Sequence, residues 1–140
     1  MSFPYPISAG GHDYVILSAL DTFSQLKIAR KLAPATPVVE GLVNPENRDK
    51  NKELLTVMAL ANIADEDVDL LIKLCLTNII RRSPNGDAKI QTPSGQLQFD
   101  DITLKTLMEL TVKSIELNVG DFFHTALVEL DKEATKAQGT

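Results

Sequence analysis

The stretch Leu97 to Phe123, LQFDDITLKTLMELTVKSIELNVGDFF, decides how the chain is read. It opens with apolar–polar alternation at Leu97 and Phe99 and meets a polar break at Asp100-Asp101. It then runs into helical spacing from about Thr103 to Asn118. Leu104, Leu107, Met108, Thr111 and Ile115 recur at intervals that share one face of an α-helix. Gly120 predicts a break, and Phe122-Phe123 starts a fifth segment with Ala126, Leu127 and Leu130 inward. Upstream, Lys89 to Thr92 and Gln96 to Phe99 alternate around Pro93-Ser94-Gly95, which predicts a hairpin over about residues 88–99. Two strands are marginal in water alone, so Ile90, Leu97 and Phe99 are expected to pack on helices.

Working towards the N-terminus, Ser83-Pro84-Asn85-Gly86-Asp87 is a turn. The third helix is expected from Glu66 to about Arg82, capped by Asp65, with Val68, Leu71, Ile72, Cys75, Leu76 and Ile79 as its stripe and Leu70 and Leu74 broadening it. Its acidic start and basic end suit the helix dipole. The second helix reads from Glu53 to Ala64, with Leu54, Val57, Met58, Ala61 and Ile63 inward. Residues 44–53, NPENRDKNKE, form an exposed polar loop, and residues 37–43 have room for one or two turns. The first helix starts at a capping box, Thr22 with Gln25, beside Asp21, and Pro34 stops it. Phe23, Leu26, Ala29, Arg30 and Ala33 share its face. Tyr14 to Leu17 is β-prone, either a strand or the lead into that helix. Residues 1–13, with Pro4, Pro6, Gly10 and Gly11, read as an irregular arm, and residues 131–140 as a polar tail.

These elements sum to a mostly α fold, about five helices with one small β-hairpin between helices three and four, in a single domain over 1–140. The length of 140 residues, 44% apolar and 24% charged, suits one such core. The net charge of −5 disfavours binding to phosphate backbones, so no nucleic-acid partner is expected. No apolar run reaches the roughly 20 residues that cross a bilayer, and the N-terminus lacks a secretory pattern. The single cysteine excludes an internal disulfide. The expectation is a soluble cytoplasmic protein with no membrane partner.

No catalytic constellation emerges. The acidic run Asp65-Glu66-Asp67-Val68-Asp69 lacks the glycine and the terminal glutamate of a calcium loop; the twelfth position is Leu76. It reads as a solvated helix start. His12 and His124 stand far apart, outside any metal-binding spacing. Cys75 lies in an apolar stripe and reads as an inert buried thiol. Asp100-Asp101 read as the end of the hairpin and the cap of helix four rather than an acid–base pair. No cofactor, metal or enzymatic activity is expected. What remains are apolar residues in the deciding stretch, and Phe99, Leu107, Phe122 and Phe123 are the candidate partner-binding residues.

Two stretches carry a resemblance. The first is Leu20-Asp21, Phe23, Gln25 and Ala29-Arg30-Lys31-Leu32-Ala33-Pro34. The second is Leu97, Phe99-Asp100-Asp101-Ile102, Leu104, Leu107-Met108, Asn118, Gly120 and Phe122-Phe123. In this order and at about this spacing they resemble the tail assembly chaperones of long-tailed bacteriophages and prophages, of the contractile-tailed type. The N-terminal arm and the loop at 44–53 lie outside the resemblance.

The resemblance implies a small helical protein without enzymatic activity, acting in the cytoplasm of the bacterial host and absent from the mature virion. Its partner would be the tape measure protein, kept soluble while tail tube subunits polymerise around it, with the tail tube protein as a second partner. Apolar surface offered to a client also suits a homo-oligomer. The competing readings are a structural tail component and an acidic regulator acting by protein contact.

Overall fold

The computed structural model describes residues 3–35, 52–126 and 129. The expected turns at 37–43, nearly all of the polar loop at 44–53, Leu127, Leu130 and the tail at 131–140 lie outside the described residues.

The N-terminal arm is a hairpin. Strand β1 (Tyr5–Ala9) pairs antiparallel with β2 (His12–Ile16), from Tyr5 opposite Ile16 to Ala9 opposite His12. Gly10 and Gly11 make the two-residue turn at φ 57° and 78°. A turn with two positive φ angles matches the twist of the strands it joins, and glycine enters that region without steric cost. Pro6 is tolerated because β1 is an edge strand. On β1 the side chains alternate between partly buried Tyr5 and Ile7 and exposed Pro6 and Ser8.

After β2, helix α1 (Thr22–Leu32) begins one residue earlier than the capping box suggests. Asp21 itself is the cap, its Oδ1 accepting from the Ser24 backbone N–H at 2.7 Å. Gln25 instead donates to the Leu20 carbonyl at 2.9 Å. A short turn, Ala33–Ala35, follows. Helix α2 covers Lys52–Leu60 and α3 covers Asp65–Cys75; Asp65, expected as the cap, is the first residue of α3, and Ala64 before it offers no side-chain capping bond.

The long third helix expected through Arg82 does not exist. It ends at Cys75, and Ile79–Arg82 is strand β3, paired antiparallel with β2. The Leu17 N–H donates to the Asn78 carbonyl at 2.9 Å, extending this ladder beyond the strands. The Asn78 amide reaches Ser18 and Ala19. Ile79 and Ile80 are β-branched and lie opposite Ile16 and Val15, so cross-strand packing overrides local helical spacing.

Residues 88–99 form only a fragment of the expected hairpin, with the Thr92 N–H donating to the Gln96 carbonyl and the Gln98 N–H to the Ile90 carbonyl, both at 2.8 Å. Ala88–Lys89 is β4, paired with Ile80 and Arg81, and the rest of the segment contributes one isolated bridge between Gln91 and Leu97. The sheet order is β1-β2-β3-β4 throughout. Among the described residues the fold is four helices and a four-stranded antiparallel sheet, not five helices with one hairpin.

Helix α4 (Leu104–Ile115) starts at Thr103, whose hydroxyl accepts from the Thr106 N–H at 3.3 Å; Asp100-Asp101 do not cap it. Gly120 does not break the chain either. Glu116–Gly120 forms a π turn, and residues 121–126 continue helically. Gly120 is itself buried within this turn.

Helix α4 and its extension stand between two cores. On the sheet side, Leu110 packs with Tyr14, Ile16, Leu76, Ile79 and Ile90. On the helical side, Ile115, Val119 and Phe123 pack with Ile28, Leu32, Leu71 and Cys75. The helix is therefore buried on opposite sides, and Leu104 stays exposed although it falls on the predicted stripe.

Candidate protein-interaction surface

The first two helices face the opposite way from their apparent stripes. In α1 the buried residues are Ile28 and Leu32, while Phe23 is 77% exposed and Leu26 also faces solvent. In α2 the core receives Thr56 and Ala59, and Leu54, Val57, Met58 and Ala61 are exposed. The Thr56 hydroxyl is satisfied by the Lys52 carbonyl at 2.7 Å, so its burial leaves no lone donor. Ile63, expected inward, is buried in the helical core. Lys52 also holds α2 in place through Glu116, which binds Lys113 on its other oxygen.

A scattered exposed leucine is ordinary. Three or four apolar residues along one outward helical stripe are less so, because burying that stripe would release water from apolar surface at roughly 25 cal/mol per Å².

The four candidate residues from the deciding stretch do not form one site. Phe99 and Leu107 are half-buried against the sheet-side core. Phe123 belongs to the helical core. Phe122 is 62% exposed and meets Phe123 edge-to-face, with ring centroids 5.5 Å apart.

Phe99 also forms part of a polar lock. The Arg81 guanidinium lies 4.3 Å from the centre of its ring and donates to both oxygens of Asp101, at 2.6 and 3.0 Å. His12 Nε2 stands 3.1 Å from Asp101 Oδ2. The guanidinium holds the Asp101 carboxyl down to about 2. This cluster joins β2, β3 and the approach to α4. Its carboxylate is occupied by a two-pronged ion pair, an arrangement that fixes structure rather than moving protons. Among the described residues no group of His, Cys, Asp and Glu is arranged to hold a metal ion. Cys75 is buried, and that burial pushes its thiol up to about 12, far from a reactive thiolate.

The two stretches that carried the family resemblance meet in space. The Leu20 N–H donates to Asn118 Oδ1 at 2.8 Å, and Leu20, Leu32 and Phe123 share the helical core. Those residues hold the fold together. The surface residues of α1, α2 and α3 were missed because each helix has two apolar sides, and spacing alone does not say which is inside. One signal was present: Arg30 interrupts the α1 stripe taken as core, whereas Ile28 and Leu32 offer an uncharged alternative.

No curated protein and no solved structure matches the chain. Among the described residues no helix is long and apolar enough to cross a membrane. The family described as phage tail assembly chaperone protein, TAC, matches residues 10–129, from the turn of the N-terminal hairpin to beyond Phe123, and the chain belongs to that family.

Proposed function

We propose that this protein binds the tape measure protein in the cytoplasm of the bacterial host and keeps it soluble until tail tube subunits enclose it. It acts by contact, without catalysis, and departs before the tail is complete. The observation that supports this reading is the outward apolar stripe of α2, where Val57 and Met58 face solvent while polar Thr56 is sealed inside. A holdase needs such surface, because a long helical client exposes apolar stripes of its own that associate with each other unless covered. Phe122, with its ring outward, is the member of the aromatic set that we assign to client contact.

The test is co-expression of the full chain with the tape measure protein of the same genome. The expected result is a soluble complex that co-purifies. Val57→Asp with Met58→Asp is expected to leave the chain folded and return the client to the pellet. Wild type that retains no tape measure protein would overturn the reading. Stoichiometric presence of the chain in purified particles would favour a structural tail component instead.

A further inference from the structure

Helices α1 and α3 leave a groove of about 530 Å³ between them, which Asn62, Ile63 and Ala64 of the segment before α3 also line. Its apolar lining includes Pro34 of the turn after α1, Ile63 and Ala64, and Leu70 and Leu74 of α3. Lys31 on α1 binds Asp67 on α3 at 2.9 Å, which ties the two walls together and neutralises that lysine. Lys27 and Arg30 also line the groove and are exposed. Neither cation makes an ion pair among the described residues. In a chain of net charge −5 this is a local positive edge beside an apolar trough.

Resting on the client reading above, we infer that this groove receives an amphipathic helix of the client whose apolar stripe is bordered by carboxylates. The apolar residues of the occupant fill the trough over Leu70 and Leu74. Its acids face Lys27 and Arg30, which sit one turn apart on the same side of α1. Phe23, one turn before Lys27 and largely exposed, carries apolar surface on past the groove. That continuation suits a polypeptide rather than a compact small molecule.

The experiment uses the full chain and two labelled helical peptides, one built from leucine and glutamate at heptad spacing and one with lysine replacing each glutamate. Binding is read by fluorescence anisotropy at low and high salt. The leucine–glutamate peptide is expected to bind about tenfold more tightly, the combined effect of two charge pairs, and to lose that advantage as salt rises. Lys27→Glu with Arg30→Glu should reverse the preference, and Lys27→Gln with Arg30→Gln should abolish it, without change in the melting curve. Leu70→Asp should weaken both peptides. Equal binding of the two peptides, binding of neither, or indifference to the charge changes overturns the inference. So does a dimer in sedimentation that the charge reversal dissolves, which would make a second copy the occupant. Co-purification with tape measure protein reports the client reading separately, so failure of one is visible without failure of the other.

Discussion

Leu110→Ala and Leu104→Ala remove the same three carbons from the same helix, yet they should differ several-fold in cost. Leu110 is 0% exposed in the sheet-side core, whereas Leu104 is 67% exposed on the first turn of α4. Three buried carbons forfeit about 2.4 kcal/mol of transfer free energy, at about 0.8 kcal/mol each. If the surrounding side chains close over the gap, little more is lost. If the void persists, its missing contacts raise the total towards about 5 kcal/mol. Tyr14 and Ile79 are held by strand pairing and have limited freedom to collapse, which favours the upper half of that range. Leu104→Ala should stay within about 0.5 kcal/mol of wild type. The chain has no tryptophan, so urea unfolding is best followed by far-ultraviolet circular dichroism. A Leu104→Ala variant as damaged as Leu110→Ala would refute the placement of α4, because it would mean that the simple heptad-like face is the buried one.

Gly10→Ala should cost more than Gly11→Ala. Both glycines have positive φ, worth about 1–2 kcal/mol against an alanine, but only at Gly10 would the new Cβ stand 2.8 Å from Thr106 Oγ1. Thermal melts of the two variants test the difference, and equal melting temperatures would argue against the docking of the hairpin turn on α4. Asp101→Asn should lower the urea midpoint at neutral pH. The Asp101 carboxyl is depressed to about 2, so its contribution is complete above the ordinary carboxylate range near 4 and is lost as pH falls towards 2. The gap between variant and wild type should therefore close over that interval, and a pH-independent gap would count against the ion pair. Cys75 should resist a thiol reagent at pH 8 in native protein and react once urea unfolds the chain, with both burial and a raised thiol pKa slowing the native reaction. Rapid labelling of the native protein would show that α3 opens locally.

A good part of the molecule was legible in its residues. Short-range chemistry fixes a helix at Thr22–Leu32, because a carboxylate precedes it and a proline follows. The same holds for the acidic first turn of α3 and the turn at Ser83–Gly86. These depend on groups within a few residues of each other. The Tyr5–Ile16 hairpin was also written locally, as two β-prone runs around Gly10-Gly11, but the two prolines obscured it.

Only the tertiary structure decided the rest. Ile79 continues a helical stripe as well as it begins a strand, and the vacant edge of β2 chose the strand. Leu54, Val57 and Met58 satisfy the pattern of a buried face, yet the core took Thr56 and Ala59 from the other side of α2, where smaller side chains allow the helix to approach α4. Periodicity measures whether apolar residues share a side. Which side turns inward depends on the neighbours available to cover it, and those neighbours come from distant parts of the chain.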